Sequence, residues 1–193
     1  MNLTLIANML RIMQKLTVVF YTVMCLYSCQ NNHLSNVYTN FMQSNEDIIH
    51  QKLVLETSNL VQVKYNQKTS SQNQNKVIIL INTECSFCIK EVKAWDALIE
   101  NDHFFRKMQV IFIADGKQTD YFTYVVNSCK SNFEVYIDSL KHFTDKNKLN
   151  AYPNETFLLN PVNEIILIGT PLYNPQIKRL YRYLYHCQNN KRL

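Results

Sequence analysis

Apolar runs alternate with polar stretches along most of this chain, and their lengths predict strands and helices in turn. Continuous runs of about five apolar residues, rich in Val and Ile, are typical of strands buried on both faces of a sheet. Apolar positions that recur every three or four residues are typical of helices with one face on a core. The predicted strands are a partly alternating edge strand at Leu60–Tyr65 and later strands at Val77–Ile81, Val110–Ala114, Phe133–Ile137, Thr156–Leu159 and Glu164–Ile168.

Three helices are predicted, at Cys88–Ile99, Thr119–Cys129 and Asn174–His186. From the first buried strand onwards, the order of elements is therefore βαβαββα. This order implies an α/β fold in which a central mixed sheet has helices on both faces. We expect the middle helix on the opposite face of the sheet from the first and last helices. A disulfide between Cys129 and Cys187 would then have to reach round a sheet edge, so we expect two free thiols, with a bridge as the alternative only at a frayed helix end.

The N-terminal residues have the pattern of an export signal. The segment Leu16–Leu26 is apolar apart from two Thr, and Arg11 and Lys15 precede it without an acidic residue, as in a secretory signal. A run of about 11 residues is too short to cross a bilayer core, which needs roughly 20. The alternative is a buried apolar helix at the start of a cytoplasmic domain.

The apolar run ends in Leu26-Tyr27-Ser28-Cys29, which resembles a bacterial lipobox. The resemblance implies cleavage before Cys29, a lipid anchor on its thiol, and a protein that faces the periplasm from a membrane of the cell envelope. The domain organisation that follows from these expectations is a signal peptide at 1–28, a polar tether and N-terminal extension at 29–59, a folded domain at 60–187 and a basic tail at 188–193.

Composition and charge exclude several functions. Gly116 and Gly169 are the only two Gly in 193 residues, so no GxGxxG or GxxxxGK phosphate-binding loop can be present. The formal net charge of +5 is too small to indicate binding to nucleic acid. With 47% hydrophobic and 18% charged residues, the chain fits one packed domain of ordinary size.

The candidate chemistry lies in Cys85-Ser86-Phe87-Cys88, between the first buried strand and its helix. Two intervening residues in a first helical turn bring the two sulfurs close enough for a disulfide. Unpaired N–H groups and the helix dipole stabilise a thiolate at such a position and lower its pKa. Cys85 would therefore attack a disulfide, and Cys88, one turn further in, would resolve the mixed disulfide. Half of a zinc site and a structural disulfide are the alternatives, although no second CxxC or HxxxH motif is present.

Together with two later motifs, this pattern resembles thioredoxin-like domains, and more narrowly the small CxxC lipoproteins of the Bacteroidetes. The later motifs are Thr156–Asn160 (TFLLN) and Ile168–Tyr181 (IGTPLYNPQIKRLY). The resemblance covers Val77–Leu184. It implies a thioredoxin-like fold and a thiol–disulfide oxidoreductase whose catalytic disulfide joins Cys85 and Cys88.

The same resemblance implies partners and a third site residue. The partners would be protein thiols or disulfides and an upstream electron donor or acceptor, with no cofactor, no metal and no nucleic acid. Pro153, ahead of the strand that begins at Thr156, would be the cis-proline that packs against the active-site disulfide and frees backbone for a substrate peptide. An ordinary trans proline is the alternative, because the spacing to the strand is one residue longer than usual.

Two departures from that family concern acidic residues. Glu84 stands where Trp is usual, and we expect its carboxylate to raise the pKa of the adjacent Cys85 thiol. The strand Val77–Ile81 lacks a buried acid for proton transfer. Glu84 and Glu91 are the candidates to replace that acid, but we expect both to be solvated surface charges.

Because of these departures, an alternative function remains. The chain would then be a non-catalytic binding lipoprotein that keeps the fold and uses a Cys85–Cys88 disulfide as a structural link.

Overall fold

The structure is a computed structural model, and it describes Met13 and residues 34–64, 74–117, 119–153 and 155–190. The chain divides into two compact units, Met1–Ser44 and Asn45–Leu193. In the first unit residues 34–44 are helical, while Cys29 and all of the predicted export signal except Met13 lie outside the described residues. Among the helices of the described ranges, none is long and apolar enough to cross a membrane.

The second unit is built on a mixed sheet. In the described part of the chain its strands lie in the spatial order β1-β4-β3-β2-β5-β6. The strands β2, β3 and β4 are parallel to one another, and each of the other strands is antiparallel to its neighbour. In chain order the strands are β1 (Val61–Lys64), β2 (Lys76–Asn82), β3 (Gln109–Asp115), β4 (Glu134–Ile137), β5 (Thr156–Leu159) and β6 (Ile165–Ile168). All six predicted strands are confirmed, with β1 at an edge.

The centre of the sheet is apolar on both faces. Strands β2 and β3 pair in register over seven residues, from Lys76 with Gln109 to Asn82 with Asp115. Every residue between these ends is buried, which requires packed layers on both sides of the sheet. The carboxyl end of β2, where the cysteine motif begins, is therefore held by the best-packed part of the molecule.

Four helices complete this unit within the described residues. In chain order they are α1 (Ser86–Asn101), α2 (Asp120–Asn127), α3 (His142–Lys146) and α4 (Pro175–Asn190), with a 3₁₀ turn at Phe105–Lys107 between α1 and β3. Helices α1 and α4 pack through aromatic rings: Phe105 contacts both Trp95 of α1 and Tyr181 of α4. These three side chains are fully buried, so they fix α1 relative to α4.

The expected position of α2, on the opposite face from α1, is wrong. Because β2, β3 and β4 are parallel and lie side by side in chain order, right-handed crossovers place both connecting helices on the same face. Direct contacts agree, since Asp96 of α1 accepts a hydrogen bond from the Ser131 N–H at 2.7 Å, just beyond α2. The sheet therefore does not separate the two helices. Cys129 and Cys187 are both thiols in this structure.

Residues 45–59, which the sequence assigns to the N-terminal extension, pack in the same compact unit as the sheet. His50 N–H donates to the Ile165 carbonyl at 2.9 Å, and Ile165 N–H donates to the Gln51 carbonyl at 3.0 Å. Ile48 and Leu53 are buried. This segment thereby covers the outer edge of β6, whose backbone groups would otherwise be unpaired.

Thr83 connects the loop after β2 with the loop after β3. Its N–H donates to the Asp115 carbonyl and its hydroxyl donates to the Lys117 carbonyl, both at 2.9 Å. Gly116 has a φ of +107°, and a Cβ at this position would overlap the Thr83 hydroxyl. Gly116 therefore lets the two loops approach closely directly ahead of the cysteine motif.

We expect Gly116→Ala to lower the free energy of unfolding more than Gly169→Ala. Both glycines have a strongly positive φ, which costs an L-residue roughly 1–2 kcal/mol. Only at Gly116 does the added methyl also collide with a buried group, because a Cβ at Gly169 meets Ile177 at an ordinary distance of 3.6 Å. Urea denaturation measures both losses.

The double variant Gly116→Ala/Thr83→Ala is the control for this explanation. Removing the Thr83 hydroxyl should recover part of the loss caused by Gly116→Ala, so the two substitutions should be less than additive. Equal losses for the two glycine variants, together with full additivity, would contradict the proposed close approach.

Candidate active site

Cys85 and Cys88 lie where β2 turns into α1. Asn82, the last residue of β2, shapes this turn: its Oδ1 accepts the Glu84 N–H at 2.7 Å and its carbonyl accepts the Cys85 N–H at 3.2 Å. Asn suits such a turn because its short side chain reaches the backbone two residues on. The turn makes Cys85 the N-cap of α1, with φ −88° and ψ 113°.

The sulfur of Cys85 caps the helix. Its Sγ accepts a hydrogen bond from the Cys88 N–H at 3.4 Å, in the place where a Ser, Thr, Asp or Asn oxygen is usual. The N–H groups at a helix start stabilise negative charge. Both residues are thiols in this structure. Cys85 is partly exposed, whereas Cys88 is only 1% exposed.

The two thiols differ in acidity. Hydrogen bonds from Cys88, first from its side chain and then from its backbone, lower the pKa of the Cys85 thiol. Burial raises the pKa of Cys88 to about 11, and the hydrogen bond to Cys85 and the charge of Glu91 add to this rise. Cys85 is therefore the thiol that ionises first, while Cys88 keeps its proton at neutral pH.

A buried carboxyl group, Glu91, lies three residues beyond Cys88 on α1. It is only 5% exposed, and its burial raises its pKa, an effect that a hydrogen bond with Thr170 partly offsets and the charge of Glu155 increases. The expectation that Glu91 is a surface charge is wrong, because the segment after β6 covers this face of α1. Its position one turn after the buried Cys88 was the available sign, since residues three apart on a helix share a face.

Glu84 does not raise the pKa of Cys85, contrary to expectation. It is exposed to solvent, where water and salt screen its charge. The carboxylate that raises the pKa of Cys85 is Glu91, and the hydrogen bonds to the sulfur outweigh it. The expectation that Glu84 raises this pKa is therefore wrong.

Pro153 precedes β5 but is not a cis-proline. No peptide bond among the described residues is cis, so the expected cis bond at Pro153 is wrong, and the bond has the trans form that most X–Pro bonds adopt. The residue before it is held by a hydrogen bond from the Tyr152 N–H to the Leu149 carbonyl at 2.9 Å. Pro153 lines a small cavity of about 90 Å³ together with Asn82 and Asp138.

Two exposed aromatic side chains border the cysteine motif. Phe87, between the two cysteines, is 59% exposed, and Tyr173 from the segment before α4 is 57% exposed. Their ring centroids are 6.0 Å apart. Tyr173 could not be assigned to the site from the sequence, because nothing in its local sequence relates it to a motif 85 residues earlier.

The described residues contain no group of three or more His, Cys, Asp or Glu side chains that could hold a metal ion. That part of the chain therefore supplies no complete ligand set for the zinc site that the CxxC motif alone had left open.

No family model matches this chain, and no curated protein sequence matches it. Solved structures do match. The thioredoxin domain of a thiol-disulfide oxidoreductase from Bacteroides vulgatus has a TM-score of 0.50 at 10% identity, over 70% of this chain and 96% of that chain. A thiol:disulfide interchange protein DsbE from Chlorobium tepidum has a TM-score of 0.49 at 10% identity, over 72% and 96%.

This chain has a thioredoxin-like fold. The predicted α/β fold class is thereby confirmed. At such low identity the likeness establishes the fold alone, so the activity has to be argued from the geometry of the cysteine motif.

We expect Cys85 to react with iodoacetamide with a pH midpoint below the value of about 8.5 for an ordinary cysteine. The thiolate is the reacting form. The alkylation rate of Cys85 should therefore stay high as the pH falls below about 8.5. It should be lost only as the pH falls through the lowered pKa of Cys85. Cys88 should react only as the pH approaches about 11. Fragmentation of the peptide that holds both cysteines, in the mass spectrometer, shows which of the two is alkylated and separates the two rates.

Glu91→Gln and Glu84→Gln form a matched pair for the same measurement. Removing the Glu91 charge should move the Cys85 midpoint to still lower pH, because that charge raises the pKa. Removing the exposed Glu84 charge should leave the midpoint in place. A Cys85 midpoint at or above the ordinary value, or equal shifts in the two variants, would contradict these electrostatics.

Proposed function

We propose that this chain is a thiol–disulfide oxidoreductase that exchanges disulfides with protein partners through Cys85 and Cys88. The observation that carries the proposal is the hydrogen bond from the Cys88 N–H to the Cys85 sulfur at the start of α1. Together with the hydrogen bond from the Cys88 side chain, it lowers the pKa of the partly exposed Cys85 thiol, while burial keeps the Cys88 thiol protonated. Thiol–disulfide exchange needs this combination, an attacking thiolate and a second thiol held in reserve.

The reaction proceeds in two exchanges. The Cys85 thiolate attacks one sulfur of a partner disulfide, forming a mixed disulfide and releasing the other sulfur as a thiolate that takes up a proton. Cys88 then loses its proton and attacks the Cys85 sulfur, which releases the partner's second thiolate and closes the Cys85–Cys88 disulfide. Two electrons pass from this chain to the partner, and an upstream dithiol donor restores the pair. The reverse sequence oxidises a partner dithiol.

Glu91 is the group in this proposal that takes the proton from Cys88. A buried thiol with a pKa of about 11 attacks only after losing its proton. Glu91 follows Cys88 by three residues on the same helix, and its own pKa is raised by burial. A carboxylate with a raised pKa is a better proton acceptor than one in water.

Pro153 is a positioning residue in this scheme. It shares a cavity wall with Asn82, whose side chain and carbonyl hold the turn that carries Cys85. The proposed catalytic set is then Cys85, Cys88 and the proton acceptor Glu91, with Pro153 supporting the turn beside them.

The proposed place of action is the cell envelope. The apolar run Leu16–Leu26 and the lipobox-like Leu26–Cys29 support a Bacteroidetes-type lipoprotein anchored to a membrane through Cys29 and facing the periplasm. In such an oxidising compartment disulfides form and persist, so partner proteins with disulfides are available. The alternative, a non-catalytic binding protein with a structural Cys85–Cys88 disulfide, does not require the difference in acidity between the two thiols.

Trapping of mixed disulfides tests the proposal. In Cys88→Ser the first exchange still occurs but resolution cannot, so covalent complexes should accumulate through Cys85 on incubation with disulfide-bearing proteins. Cys85→Ser should trap none, since it lacks the attacking thiolate. Non-reducing gel electrophoresis counts the complexes, and Cys88→Ser/Cys187→Ser is the control for capture by the other partly exposed thiol of the described residues. Absence of complexes with Cys88→Ser, or equal capture by Cys85→Ser, would contradict the proposal.

A further inference from the structure

A groove lies beside the cysteine motif, between α1 and the segment that leads into α4. Its volume is about 440 Å³, and its walls include Ala94, Ala97 and Leu98 of α1 and Leu172 and Tyr173 of the facing segment. The two Ala side chains are short, which leaves room for a side chain from outside. This size falls within the range of roughly 300–1,000 Å³ typical of binding pockets.

The groove adjoins the proposed reaction site through one side chain. Tyr173 forms part of its wall, and the same ring contacts Phe87, between Cys85 and Cys88. Phe87 and Tyr173 are both more than half exposed. A polypeptide whose disulfide reaches the Cys85 sulfur can therefore contact these rings and enter the groove beside them. Exposed aromatic side chains next to a pocket are the residues that contribute most to protein binding surfaces.

Positive charge borders the groove. From Gly169 to Arg182 the chain has three cationic residues and no acidic one, and Lys178 is part of the groove wall. On α1 the exposed Lys90 stands three residues from Phe87 and four from Ala94, so helical spacing places it beside both. Asp102 is the acidic partner of Lys178 and Arg182, so one carboxylate faces two cations. A second carboxyl group, Glu91, acts on Tyr173 of the groove wall. The cations Lys90, Lys178 and Arg182 outnumber Glu91 and Asp102, so the border of the groove is complementary to an acidic segment.

We propose that this groove binds an extended segment of the protein partner, with an aliphatic or aromatic side chain between α1 and Tyr173 and acidic residues beside it. The segment lies next to the partner's reacting cysteine. This inference rests on the proposed function and adds to it the class of sequence that the enzyme prefers. A second copy of this chain fits less well, because a stable dimer buries roughly 1,200–2,000 Å², whereas this concavity admits a few residues.

The test uses short peptides whose single cysteine carries a 2-nitro-5-thiobenzoate group, so that attack by Cys85 releases a coloured thiolate. One peptide has Leu near the cysteine and Glu beside it, a second has Ser in place of Leu, and a third has Lys in place of Glu. The free reagent 5,5′-dithiobis(2-nitrobenzoate) reports attack without a peptide. The reduced full chain should react with the Leu/Glu peptide roughly tenfold or more faster than with the Ser peptide, the factor expected from burying one Leu side chain.

Ala97→Arg fills the groove, and Asn127→Arg adds the same charge at an exposed position at the end of α2. Each peptide rate is divided by the rate for the free reagent. The ratio of the Leu-peptide rate to the Ser-peptide rate should then fall severalfold in Ala97→Arg and persist in Asn127→Arg. Lys90→Gln should reduce the preference for Glu over Lys.

Three results would overturn the inference. They are equal rates for the Leu and Ser peptides with the unmodified chain, a preference for Leu that survives Ala97→Arg, and a dimer in light scattering that dissociates in Ala97→Arg. In each of these cases attack on the free reagent would leave the proposed function standing. A chain that reacts with neither the peptides nor the free reagent would instead contradict the proposed function itself.

Discussion

The proposed chemistry of this chain depends on one hydrogen bond, from the backbone N–H of Cys88 to the sulfur of Cys85. It makes a thiol the N-cap of α1, so that the N–H groups of the first turn act on a sulfur that can ionise. The rest of the site depends on where that turn lies. Asn82 holds the turn through two hydrogen bonds, and Asn82 itself ends the central strand of a sheet that is buried on both faces. Rigid support of this kind keeps the two sulfurs within one helical turn of each other.

Burial then separates the roles of the two cysteines. The first sulfur is partly exposed at the helix start, and the second is buried. The segment that follows β6 covers Glu91, whose charge raises the pKa of both thiols. The hydrogen bonds at the helix start lower the pKa of Cys85, and the charge of Glu91 raises it. The hydrogen bonds have the larger effect. The same segment brings Thr170 to Glu91 and Tyr173 to Phe87, so one loop contacts both the proposed proton acceptor and the proposed binding surface.

Much of the fold could be predicted from the sequence because its strands are strongly apolar. The runs Val77–Ile81 and Val110–Ala114 leave no alternative to a doubly covered sheet, and the CxxC motif at the end of the first run located the site. The face on which α2 packs could not be predicted, because it depends on the spatial order of strands. Nor could the role of residues 45–59, which join the sheet edge chiefly through backbone hydrogen bonds. A carboxylate is usually solvated, so Glu91 was expected in water; its spacing from Cys88 indicates a shared helix face, but its burial depends on the distant segment around Thr170.

The reduction potential of the Cys85–Cys88 pair tests the central claim most directly. Equilibration of the full chain in buffers of reduced and oxidised dithiol, followed by alkylation and mass spectrometry of the peptide that holds both cysteines, gives this potential. Stabilisation of the Cys85 thiolate favours the reduced form, so we expect a potential above about −300 mV and turnover of a dithiol substrate. A potential below about −300 mV, without turnover, would contradict a catalytic pair and identify the disulfide as a structural link.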